Sequence, residues 1–306
     1  LRKRLLIGIL ALLVSACSRT PDVETETPQP PTPTPFDLSA LDAIDLHDYP
    51  IIPVVSERAR EIYRAGQAQG RNPHVFSKVG DCMTVAPDFL TPFSTGSYEL
   101  GEYGYLQETI DYFTLAPVRE VDGQEVDSFS NPSLTAASGF TSAGALDSTW
   151  ANPEWCQGGE SPLLCEYRAS NPSLALIMFG TNDVFYVEAD RFDLYMRTIV
   201  EETIDAGVVP ILSTFPPRLD RLEETETFNR IVVRIALDYD VPLVNLWLAM
   251  QDVPNYGVAP DEVTRLTLPE DGCAACFTAE NLTTGITTHN LITLMALDEV
   301  RQALAE

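Results

Sequence analysis

Four short stretches of this 306-residue chain carry side chains able to do acyl chemistry, and they occur in a fixed order. Gly80-Asp81-Cys82-Met83-Thr84 follows an apolar run and presents a thiol. Ser138-Gly139-Phe140-Thr141-Ser142 offers a backbone N–H at a small residue. Gly180-Thr181-Asn182-Asp183 ends a second apolar run and offers an amide side chain. His289 stands near the C-terminus. Acyl transfer needs a nucleophile relieved of its proton and donors aimed at the oxygen that becomes negative. Backbone N–H groups at Cys82 and Gly139 with the Asn182 amide make three such donors, and an imidazole near the thiol completes the minimum. His47 and His74, the other two histidines, fall in a lead-in segment and at the start of a strand, where structural or surface roles are expected.

These pieces, in this order, resemble the SGNH (GDSL-like) hydrolase family. Its marks are a Gly-Asp-Ser nucleophile turn, an oxyanion glycine, a Gly-x-Asn-Asp loop and an Asp-x-x-His before the last helix. The resemblance runs from Val75 to Ala305. It implies Cys82 as nucleophile, Gly139 and Asn182 as oxyanion donors, His289 as general base, and a flavodoxin-like three-layer α/β/α sandwich. Gly144 rivals Gly139, and Asp81 is expected to brace its loop. Two departures matter. The family serine is Cys82, a competent acyl acceptor only where its pKa is lowered. Three residues before His289, where the family has aspartate, stands Ile286. The group that would orient the ring is then a backbone carbonyl, Thr287, Thr288 or a distant acid.

The family would supply an ester hydrolase, on an acyl or acetyl ester and possibly a carbohydrate. The alternative is an inactive protein of the same fold that binds a glycan or envelope partner at the old cleft. A thiol redox protein built on Cys273-Ala274-Ala275-Cys276, or a zinc site from the cysteines, ranks below both. No cofactor or metal is expected.

Six cysteines sharpen the choice. Arg2-Lys3-Arg4, an apolar run from Leu5 to Val14 and then Ser15-Ala16-Cys17 form a secretory signal, too short to span a bilayer. Val14-Ser15-Ala16-Cys17 resembles the lipobox of bacterial lipoproteins, so residues 1–17 are expected to end in a lipidated cysteine that tethers the chain to a membrane of the cell envelope. In that oxidising compartment thiols pair. Cys156 with Cys165 and Cys273 with Cys276 are plausible local pairs, although connectivity stays open in sequence. Cys82 is then the odd thiol.

The elements that must position these groups read as alternating strands and helices. Residues 18–36, rich in Thr, Pro and Glu, predict a Pro-stiffened linker, and 37–306 the folded domain. Strands are expected near 74–79, 174–179, 208–212 and 241–246. Helices are expected near 56–66, 100–113, 191–206, 223–239 and 289–305. Such alternation argues a parallel sheet covered on both faces, whose ligands sit beyond the strands' carboxyl ends. The stretch between Pro117 and Pro172 reads as a loop-rich insertion. A net charge of −26, from 19 basic and 45 acidic residues, disfavours nucleic acid and anionic headgroups as ligands.

Overall fold

The computed structural model describes residues 36–260 and 264–305. Cys17, the signal segment and nearly all of the linker therefore lie outside the described residues. No helix among the described residues is long and apolar enough to cross a membrane.

Parallel strands β1 (Asn72–Gly80), β4 (Pro172–Met178), β5 (Val209–Ser213) and β6 (Leu243–Val244) pair in that order, and β2 (Arg119–Val121) with β3 (Gln124–Val126) form a separate hairpin. The helices are α1 (Glu57–Ala68), α2 (Thr91–Thr95), α3 (Gln107–Thr114), α4 (Ser142–Leu146), α5 (Pro162–Ser170), α6 (Asp183–Tyr186), α7 (Ala189–Asp205), α8 (Leu222–Tyr239), α9 (Leu246–Ala249) and α10 (Gly285–Ala305). Helices α1, α3 and α10 contact one another and the sheet, while α4, α5, α7 and α8 form the second covering layer. This is the expected three-layer α/β/α sandwich. Every residue of β4 is buried, as a strand covered on both faces requires. Helix α7 turns Phe192, Met196, Ile199, Val200 and Thr203 inward, the spacing of one helical face.

Local chemistry moves two boundaries away from the sequence expectation. Strand β6 stops at Val244 rather than 246, because Asn245 turns away to anchor the lead-in segment. Its amide donates to the carbonyls of Leu46 (2.7 Å) and Tyr49 (3.0 Å), and its backbone N–H to that of Ile51 (3.0 Å). The last helix begins four residues before His289. Thr267 caps it from outside, accepting from Gly285 N–H at its hydroxyl (2.8 Å) and from Ile286 N–H at its carbonyl (3.1 Å). His289 therefore sits one turn inside α10 rather than just before it.

The insertion is also more ordered than a loop-rich stretch. It holds the β2–β3 hairpin, α4, α5 and the disulfide Cys156–Cys165. Fully buried Glu166 pins it to β1, accepting from Ser77 Oγ (2.8 Å), Ser170 Oγ (2.8 Å), Leu134 N–H (2.8 Å) and Asn131 Nδ2 (3.2 Å), with Arg119 at 3.7 Å. Residues 128–137 cover the outer edge of β1. Gly80 exchanges backbone hydrogen bonds with Thr135 and Ala137, both 3.3 Å.

Candidate functional site

Three loops meet beyond the carboxyl ends of β1 and β4. Two glycines set their geometry. A Cβ on Gly80 would lie 2.4 Å from the Met178 carbonyl oxygen, so β1 and β4 could not approach so closely. Gly180 has φ +135°, and a Cβ there would lie 2.0 Å from the Phe215 ring. Only glycine fits at either end. Asp81, fully buried, ties two of the loops together, accepting from Met83 N–H (3.1 Å) and Thr181 N–H (3.2 Å). Burial, with a contribution from the nearby Asp183 carboxylate, pushes its pKa up to about 7.

Cys82 is the one free cysteine among the described residues; Cys273–Cys276 form the second disulfide. Cys82 lines a cavity of about 230 Å³ whose walls are both apolar (Met83, Ala86, Pro87, Leu266, Leu268, Ile286) and polar or charged (Asp88, Thr264, Arg265). Ile286, at the place of the family's aspartate, is thus an apolar wall of the thiol's own cavity. Burial first, and the Asp81 charge second, push the Cys82 pKa up to about 12. A nucleophilic cysteine needs the opposite shift.

His289 points from α10 onto the sheet. It lines a different cavity, of about 20 Å³, with Thr84, Phe89, Leu176, Ser213 and Thr293. Its ring stacks on Phe89, centroids 4.1 Å apart, and its Nδ1 has no hydrogen-bond partner. The ring is 2 % exposed, and burial drives its pKa down to about 3. It is a neutral imidazole held by packing, with no carboxylate at Nδ1. Neither Thr287 nor Thr288 takes the orienting role there. Thr287 Oγ1 accepts from Thr284 Oγ1 (3.0 Å), and Thr288 Oγ1 donates to the Leu282 carbonyl (3.0 Å).

The other two positions fall together in a third place. Gly139, exposed with φ +83°, lines an open cleft of about 770 Å³. Asn182 is buried, and its Nδ2 donates to the carbonyl of Phe140 (2.8 Å), the next residue along that cleft. Asp183 holds the start of α4, accepting from the N–H (2.8 Å) and the hydroxyl (2.6 Å) of Ser142. Burial raises the Asp183 pKa to about 6. The Gly-Thr-Asn-Asp loop therefore braces the segment that carries Gly139. The structure brings Gly139 and Asn182 to one loop pair, and sets Cys82 and His289 in two separate cavities.

Sequence reasoning passed over the aromatic lining of the third cleft. Phe140, Trp150 and Tyr195 face it, and Trp150 is 63 % exposed. An aromatic residue stranded in a polar, Pro- and Gly-rich insertion is a readable signal, and Trp150 gives it. Tyr195 comes from α7, and only the packing of α4 on α7 brings it to the cleft. His47 and His74 have local roles. His47 Nδ1 meets Asp45 (2.9 Å) at the surface, and His74 Nδ1 meets the Tyr112 carbonyl (3.1 Å).

Solved structures with a similar arrangement include a psychrotrophic esterase from Pseudoalteromonas sp., inhibited by monoethylphosphonate. It has 16% identity over 76% of this chain and 100% of its own, at TM-score 0.45. A catalytic mutant of an acetylxylan esterase from Geobacillus stearothermophilus has 18% identity over 74% and 93%, at TM-score 0.44. A GDSL-like lipase from Bacteroides thetaiotaomicron has 15% identity over 79% and 97%, at TM-score 0.39. Among curated proteins no sequence matches this one. Residues 122–263, which hold Gly139 and Asn182 but neither Cys82 nor His289, match the model of the GDSL-like Lipase/Acylhydrolase family.

Proposed function

We propose that this chain is a non-hydrolytic protein of the SGNH esterase fold that holds a ligand at the rim of its sheet, tethered to the cell envelope through a lipid on Cys17. One observation carries this reading: the Cys82 thiol and the His289 ring line separate cavities, and burial keeps both neutral. With a pKa about 12, on the order of one thiol in ten thousand is ionised at pH 8. A base whose own pKa lies about 3 is a poor proton acceptor at that pH. The expected dyad thus lacks both a ready nucleophile and a base able to take its proton at that pH. The loops that keep their family residues, Asn182 and Asp183, act as scaffolding for an open cleft.

The hydrolase reading keeps one specific support, since the thiol faces a cavity large enough for a short acyl chain. A panel of acetylated sugars and short-acyl esters, assayed with the wild type and Cys82→Ala, separates the two. Equal, background-level turnover is expected. Turnover that disappears in Cys82→Ala would overturn the proposal and restore Cys82 as the nucleophile. The tether is tested independently: Cys17→Ser should move the chain from the membrane fraction to the soluble one.

A further inference from the structure

The open cleft beside Gly139 has a composition that selects for charge. Its floor and walls include Ser138, Gly139, Phe140, Asp147, Trp150 and Tyr195, and no basic side chain lines it among the described residues. The Phe140 ring is fixed on two sides. It packs over Gly144, 3.5 Å from where a Cβ there would stand, and it meets Trp150 edge-on with centroids 6.0 Å apart. Its backbone is held by Asn182. Asp147 caps the short turn that carries Trp150, accepting from Thr149 N–H (2.9 Å). Those hydrogen bonds hold its carboxyl below the usual carboxylate range, so it is ionised at neutral pH. Aromatic faces attract cations through their quadrupole, most strongly at tryptophan. A carboxylate on the same rim adds to that attraction, and the chain's net charge of −26 repels anions from the whole surface. At about 770 Å³ the cleft is within the range of small-molecule sites.

We propose that this cleft binds a small organic cation of the quaternary-ammonium type, its methylated head against Trp150, Phe140 and Tyr195 and its charge facing Asp147. This deepens the reading above and rests on it in one respect: the ligand is held and not hydrolysed. Anionic ligands find no partner in the cleft. Neutral sugars would use the same aromatic faces and donate hydroxyl hydrogen bonds to Asp147, but without the charge–charge attraction, so charge separates the two ligand classes.

Titration calorimetry of the full chain with choline chloride at low salt tests the site. The controls are the neutral isostere dimethylbutanol and the sugar xylose. Saturable choline binding is expected, with dimethylbutanol weaker by at least about tenfold, the scale of a cation–π and ion-pair contribution. Trp150→Ala and Asp147→Asn should each weaken choline binding by about tenfold, Trp150→Phe should keep part of it, and Tyr105→Ala, an exposed aromatic outside the cleft, should change nothing. Equal affinity for choline and its neutral isostere, saturation by xylose alone, or no saturable choline binding would each overturn the assignment. None of these bears on the ester panel. Turnover dependent on Cys82 would instead sink the non-hydrolytic reading and leave the cation site to stand or fall on its own titration.

Discussion

The two halves of the expected active site have gone different ways. On the Cys82 and His289 side, the imidazole and Asp81 are buried and the thiol half-buried, and burial moves each toward its neutral form. On the Gly139 and Asn182 side the residues are wired into hydrogen bonds that hold an open cleft. The family match covers only the second side. The contrast teaches that motif residues can carry backbone structure as well as chemistry. Asn182 and Asp183 have structural partners to keep, whereas His289 Nδ1 has none.

The contrast can be broken or sharpened by substitution. The largest effect is expected at Glu166, which anchors the insertion that forms the open side. Glu166→Ala strands four buried or half-buried donors and the Arg119 cation, and should cost about 3–5 kcal/mol in urea unfolding. A loss under 1 kcal/mol would show that the insertion is held by its packing alone.

The Cys82 and His289 side should show itself in the pH dependence of stability. His289 has a folded pKa depressed to about 3 from its ordinary 6.5. Its contribution is present above 6.5 and is lost as pH falls toward 3. Asp81 is raised to about 7 from 3.8, so its contribution is present below 3.8 and is lost as pH climbs through 7. Each slope is about 1.4 kcal/mol per pH unit, and between about pH 4 and 6.5 the two oppose each other. Thermal melts of His289→Leu should therefore fall in stability from pH 4 to 7. Those of Asp81→Asn, where Asp183, itself raised to about 6, still offsets His289, should stay nearly flat from pH 4 to 6. Parallel profiles in the two variants would contradict the burial assigned to one of them.

Smaller effects test the open side. Asn182→Ala removes the hydrogen bond to Phe140 and should cost about 1 kcal/mol while loosening the aromatic wall, read as weaker choline binding. Cys82→Ala, on the other side, should leave choline binding intact. Its stability cost should stay within about 1 kcal/mol, since the thiol already faces a cavity.

The fold was legible because its signals are local. The apolar run of β4 and the inward face of α7 are periodic patterns that survive any context. Candidate chemistry was legible as residue types in order. Its arrangement in space was not, for three particular reasons. Thr267 starts α10 early from a distant segment, which moves His289 one turn into the helix. Ile286 shows in sequence only as a missing aspartate, whereas in space it walls the thiol's cavity. Tyr195 reaches the cleft through the packing of α4 on α7, which no window of sequence contains. The disulfides left Cys82 unpaired, as counting had suggested, but an unpaired thiol is reactive or inert according to its surroundings. Here burial and the Asp81 charge hold it in the thiol form.

The central claim is that Cys82 and His289 do not form a pair, and the pH profile of Cys82 alkylation tests it most directly. With the folded chain and iodoacetamide, the rate should still be rising at pH 10, with no plateau below it, and His289→Leu should leave the profile unchanged. A plateau of fast alkylation below pH 7 that vanishes in His289→Leu would reveal a thiolate–imidazolium pair and contradict the account.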